Sequence, residues 1–148
     1  MAALASSSSS ELGSSQLGDT TPSLFLISFN VAGFKTFLSK LEQYVPGGFK
    51  GWLERQNADI VCLQEVKISR KDVADDPRKC GAVIDGWDSF WAFNDGSGKQ
   101  RLGLNGVTTY VRKGLTLAAH NAALGDPTLD GEGRCMMTDH GSFVIFNV

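Results

Sequence analysis

Two side chains in this sequence have the chemistry to begin a metal site. They are the amide of Asn30 and the carboxylate of Glu65, which end the apolar runs Leu24-Phe25-Leu26-Ile27-Ser28-Phe29 and Ile60-Val61-Cys62-Leu63-Gln64. A hard cation such as Mg²⁺ takes oxygen ligands and is typically held by one or two carboxylates together with water and substrate phosphate. One amide and one carboxylate are therefore enough to start such a site, provided the fold brings them together. Polar residues at strand ends more often simply form turns, so the pair means little until the elements that carry it are placed.

Those elements follow from the pattern. Leu24 to Val31 is a short apolar run bounded by turn formers, as expected of a strand buried on both faces. Phe34, Phe37, Leu38, Leu41 and Tyr44 then recur at helical spacing, Pro46-Gly47-Gly48 interrupts, and Phe49, Trp52 and Leu53 resume a helical face. Asp59 to Glu65 reads as a second strand. Strand, helix and strand in this order predict a right-handed crossover, so the two strands run parallel and both carboxyl ends lie on one edge. Asn30 and Glu65 should meet there. Shorter strands are expected at Trp87 to Phe93, Gly106 to Arg112, Leu115 to Ala119, Cys135 to Asp139 and Ser142 to Val148, which together suggest an α/β sandwich.

Composition narrows the function classes. The 148 residues allow one domain of ordinary size. Residues 1–23, with Ser6 to Ser10 in a row, have too little apolar content to offset the entropy of ordering and read as a disordered tail, leaving 24–148 as the domain. That tail contains Glu11 and Asp19 but no basic residue, which argues against an organelle transit peptide. No apolar run approaches the roughly 20 residues of a membrane span, so no membrane partner is expected. A net charge of −2 argues against holding nucleic acid by bulk electrostatics, so any DNA contact must be local. The three cysteines, Cys62, Cys80 and Cys135, lack C-x-x-C spacing and indicate neither a disulfide framework nor a zinc site. Cys62, inside a strand, reads as a small hydrophobe, and Phe34, Phe37 and Trp52 read as core.

The two strand-end blocks, Ile27-Ser28-Phe29-Asn30-Val31-Ala32-Gly33-Phe34-Lys35 and Ala58-Asp59-Ile60-Val61-Cys62-Leu63-Gln64-Glu65-Val66-Lys67, resemble those of exonuclease III-type apurinic/apyrimidinic endonucleases. Gly103-Leu104-Asn105-Gly106-Val107 is similar to that family's Gly-Tyr-Ser-Gly-Val segment, and Asp130-Gly131-Glu132-Gly133-Arg134 to its Glu-Gly-Arg block. The resemblance covers nearly everything after the tail. It implies a DNase I-like, four-layer αββα sandwich, of which this chain would supply about the first half. It also implies roles for particular residues. Glu65 would be the metal ligand, Asn30 would help position metal or water, and Lys67 would orient Glu65 or meet a phosphate. Lys35, Gly103, Asn105 and Arg134 would lie along the DNA backbone.

The cofactor so implied is Mg²⁺, with Mn²⁺ as a substitute, and the partner is DNA containing abasic sites or damaged 3′ ends. The implied reaction cuts the strand 5′ to an abasic site, with 3′ to 5′ exonuclease work beside it. A monomer in the nucleus is expected, with an organelle as the alternative. Two departures stand out: Ala32 replaces an Asp or Asn, and Leu104 replaces a Tyr that could hold a phosphate oxygen. The family's later Tyr-x-Pro, Asp-x-Asn and Ser-Asp-His elements do not follow Val148, so little cleavage by these residues alone is expected. Thr138-Asp139-His140 imitates the last of them, but its place before Gly141 reads as a hairpin turn, and His120 as a surface histidine. Two other readings stay open, a retrotransposon-type endonuclease sharing the Leu-Gln-Glu-x-Lys block and a catalytically inactive fragment. The Asp-Gly-Glu-Gly-Arg block leans toward repair.

Overall fold

A computed structural model describes residues 23–96 and 103–148. The tail expectation for 1–23 therefore falls, apart from Ser23, outside the described residues. The chain begins with strand β1 (Leu26–Asn30) and two helices, α1 (Phe34–Tyr44) and α2 (Gly48–Arg55), followed by β2 (Ile60–Gln64). β1 and β2 pair in parallel, with Asn30 opposite Gln64, as the crossover argument requires. After the short helix α3 (Arg70–Asp75), β3 (Trp87–Ala92) and β4 (Val107–Arg112) pair antiparallel and complete a sheet in the order β1-β2-β4-β3. A second, antiparallel sheet contains β5 (Ala118–His120), β6 (Met136–Asp139) and β7 (Val144–Asn147), with helix α4 (Pro127–Gly131) between β5 and β6.

Each face of β2 buries a different layer. Val61 and Leu63 face the helices, where Phe34, Phe49, Leu53 and Tyr110 form the main core. Phe34 is fully buried and meets Phe49 edge to face at 5.2 Å between ring centres. Burying one such ring contributes about 2 kcal/mol, and an aromatic pair adds up to about 1. Ile60 and Cys62 face the other way, against Val111 and Ile145 of β7. The layers are thus helix, four-stranded sheet and three-stranded sheet. Phe34, Phe37 and Trp52 are core residues, as the helical spacing predicted.

The apolar pattern predicts that β1 is buried on both faces, but it is the edge of its sheet, and Phe25, Leu26 and Phe29 are exposed. Its run is as apolar as that of β2, but among the described residues nothing pairs with its outer side. No helix among the described residues is long and apolar enough to cross a membrane.

Candidate active site

Parallel pairing puts the ends of β1 and β2 side by side. Asn30 Nδ2 donates to Glu65 Oε1 at 2.9 Å, and Lys67 Nζ lies 3.0 Å from Glu65 Oε2. The orientation of the Asn30 amide is fixed because its oxygen accepts the Ala32 N–H at 2.9 Å. The Asn30 amide, and after it the Lys67 ammonium, hold the Glu65 carboxyl below the usual carboxylate range, so Glu65 is ionised at neutral pH. The carboxylate is 46% exposed, open to solvent and to ligand.

The backbone that presents these groups is strained. Ala32, Glu65, Lys67 and Asn105 all adopt left-handed conformations, with φ between 51° and 59°. Each such residue costs about 1 kcal/mol or more, and such strain persists only where surrounding structure fixes it. Here Val66 N–H bonds Gly106 O at 3.0 Å and Lys67 N–H bonds Asn105 O at 2.9 Å, while Val31 and Phe34 bond back to Gln64 O and Val66 O. The turn at Glu65 breaks strand alternation, so Gln64 and Glu65 border the same cleft.

That cleft has a volume of about 450 Å³, and Asn105 and Arg134 also line it. The two glycine-containing blocks allow its walls to approach. A side chain at Gly106 would place Cβ 2.9 Å from Val66 Cγ2, and one at Gly133 would come within 2.4 Å of the Phe93 carbonyl carbon. Arg134 donates from Nε to Glu132 Oε2 at 2.5 Å, which fixes the guanidinium beside a nearly buried carboxylate. The Asn105 side-chain nitrogen is shielded from solvent and has no hydrogen-bond partner among the described residues.

The structure thus gathers Asn30, Glu65, Lys67, Asn105 and Arg134. It separates Lys35, which pairs with Asp72 at 2.7 Å and borders a different hollow between α1 and α3. Gly103 sits in a turn with φ of 75°, and among the described residues nothing lies within 4 Å of where a Cβ would stand. Asp139 and His140 occupy the β6–β7 turn, at the opposite end of that hairpin from Asn147. Asp139 Oδ1 accepts the Gly141 N–H, and His140 bonds Leu115 O and Thr138 Oγ1, consistent with the turn reading. Among the described residues no three His, Cys, Asp or Glu side chains cluster as a metal cage.

Sequence reasoning missed Ser28 and Gln64, which line the cleft, and the buried Asn147 bonded to Gln64 behind them. Ser28 and Gln64 stand inside recognised blocks, but Asn147 is the last strand residue and nothing in linear order connects it with Glu65.

Comparisons with known proteins bear on the family and the fold. The chain is similar to DNA-(apurinic or apyrimidinic site) endonuclease 2 of Bos taurus, 30% identical over 145 residues that cover 79% of this chain and 27% of that protein. It is also similar to the DNA-(apurinic or apyrimidinic site) endonuclease of Dictyostelium discoideum, 30% identical over 122 residues that cover 82% of this chain and 28% of that one. The chain thus spans about a quarter of the length of the curated relatives it matches. The AP endonuclease LMAP from Leishmania major superposes with a TM-score of 0.61 at 22% identity, over 84% of this chain and 39% of that one. The Xenopus laevis APE2 catalytic domain does so at 0.55 and 23%, over 82% and 44%. These two share the DNase I-like fold, of which this chain forms part. A family model, Endonuclease/Exonuclease/phosphatase family, matches residues 27–148, from the first strand to the last and across every group in the cleft, and the chain belongs to that family.

Proposed function

We propose that this chain carries the metal-anchoring edge of a DNA-(apurinic or apyrimidinic site) endonuclease, a phosphodiesterase that hydrolyses the strand 5′ to an abasic site. The observation that carries this reading is the ionised Glu65, fixed between Asn30 and Lys67 in a cleft whose other wall presents Arg134 and Asn105. Proteins of the family are generally metal-dependent. The donor set fits Mg²⁺, because a single exposed carboxylate suits an ion that keeps most of its waters and takes its remaining ligands from phosphate. Glu65 would hold it, with Asn30 and Lys67 fixing the carboxylate. When bound, the ion supplies charge neutralisation at the phosphate and at the leaving 3′ oxygen.

The chain's own groups then divide the work. Asn30 and Lys67 keep Glu65 ionised and oriented, and Arg134 offers terminal N–H donors that suit phosphate oxygens. The guanidinium uses its Nε on Glu132, which steers its terminal nitrogens. Damaged 3′ ends present the same chemistry, a phosphate beside an interrupted sugar, and belong to the same reading.

The test is binding of residues 1–148 to a duplex with one abasic analogue and to its undamaged counterpart. In Mg²⁺ the abasic duplex should bind at least fivefold more tightly, and that preference should vanish with EDTA or in Glu65→Gln. Equal affinity for the two duplexes in Mg²⁺, or a preference that survives in Glu65→Gln, overturns the proposal.

A further inference from the structure

From the floor of the cleft a chain of hydrogen bonds, buried at its Asn147 end, joins the two sheets. Asn147, at the end of β7, is 2% exposed. Its Oδ1 accepts Gln64 Nε2 at 2.7 Å, and its Nδ2 donates to Thr108 O at 2.9 Å and to Thr109 Oγ1 at 3.2 Å, with a longer contact to Leu63 O. Gln64 Nε2 also donates to Ser28 Oγ at 3.1 Å. One amide pair thereby ties β1, β2, β4 and β7 together at the end where Asn30 and Glu65 emerge.

The orientation of both amides is determined. Turning Asn147 over would point its oxygen at two carbonyls and its nitrogen at the nitrogen of Gln64, leaving buried polar groups unsatisfied. Gln64 in turn uses its amide nitrogen on both Asn147 and Ser28. Elsewhere β7 meets the larger sheet through apolar contacts such as Ile145 with Ile60, Cys62 and Val111. Such contacts are non-directional, so they select a register less sharply than a hydrogen bond does. Among the described residues, every side-chain hydrogen bond between β7 and the larger sheet runs through Asn147.

We infer that Asn147 and Gln64 are positioning residues that set where the Asn30–Glu65 pair stands, by clamping β2 one residue before its left-handed turn at Glu65. The inference deepens the reading of Glu65 as a metal anchor and rests on it for its function. It assigns a site role to the second sheet, which contributes no charged group to the pair.

Two readouts separate the inference from the reading beneath it. In metal-free residues 1–148, the side-chain amide protons of Asn30 should be well dispersed in NMR spectra, as expected for one hydrogen bonded to Glu65. Asn147→Leu and Gln64→Leu should collapse that dispersion. Ile145→Ala, which loosens the same strand without touching an amide, should preserve it. Mn²⁺ should broaden the Glu65 and Asn30 signals of the unaltered chain, and the midpoint should rise at least fivefold in the two leucine variants but not in Ile145→Ala. Gln64→Leu, at a half-buried position, keeps the test alive should Asn147→Leu not fold. Undisturbed Asn30 protons in Gln64→Leu, or equal loss in Ile145→Ala, overturn the positioning role. Absence of any Mn²⁺ response in the unaltered chain removes the metal reading, while the Asn30 protons still decide the positioning.

Discussion

The arrangement at Ala32 shows how a single residue type carries both stability and chemistry. Its φ of 52° lies in the left-handed region, which Gly tolerates freely, Asn and Asp tolerate through local hydrogen bonding, and other residues occupy at a cost. The departure from Asp or Asn seen in the sequence thus leaves an alanine where the backbone favours a different side chain. Ala32→Gly is expected to stabilise the fold by about 1 kcal/mol, since the native conformation gains more than the unfolded chain loses in order. A rise in the urea midpoint with unchanged slope is the measurement, and a fall of similar size would contradict the strain argument. Legibility at this scale was uneven. Glu65, Asn30, Asn105 and Arg134 stood in blocks of recognisable order and converge on one cleft. Lys35 stood in the same block as Asn30, but one helical turn carries its side chain toward Asp72, a partner 37 residues away that no local pattern identifies.

Among the elements, long periodic segments were readable and short capped ones were not. The helical spacing from Phe34 gave α1 and α2, and the apolar run gave β2, because each repeats its signal several times. Helix α3 has only six residues, too few for periodicity, although Ser69 and Asp72 form a capping box with Ser69 Oγ accepting from Asp72 N. Asp126 before Pro127 is a similar start signal for α4. The cap of α3 also responds to pH. The Lys35 ammonium, and after it Ser69, push the Asp72 carboxyl down to about 2 from its ordinary 3.8. A carboxyl lowered in the folded state contributes stability in full above its unfolded pKa and loses it as pH falls through the folded one. The stability gap between the native chain and Asp72→Asn should therefore be constant near neutrality and shrink between about pH 4 and 2, as read by thermal unfolding. Both partners are well exposed, so solvent screening keeps the ion pair's share small. Ser69→Ala should cost about 1 kcal/mol as an ordinary lost cap.

At the scale of the whole molecule, the two sheets are closed on one side and open on the other. Among the described residues β1 and β7 are both edge strands, and β7 lies over β2 and β4, so the two edges share a flank. Phe25, Phe29, Val144, Phe146 and Val148 expose apolar surface around it. Unpaired strand edges beside such surface promote pairing between chains. Against the monomer that the sequence resemblance implies, sedimentation of residues 1–148 at rising concentration is expected to show self-association, which Phe25→Lys with Phe146→Lys should reduce at least severalfold; a chain that sediments as one species with or without the lysines would refute this. The sequence showed these residues as apolar, but apolarity alone does not say whether a strand has a neighbour. The position of the flank matters for the cleft as well, because Ser28, Asn30 and Val148 lie at once on the open side and on the cleft's border. Any polypeptide that settles against β1 and β7 becomes a rim of that cleft, so under the proposed function the approach of a DNA strand would be governed by whatever occupies that shoulder as much as by the residues proposed to hold the ion.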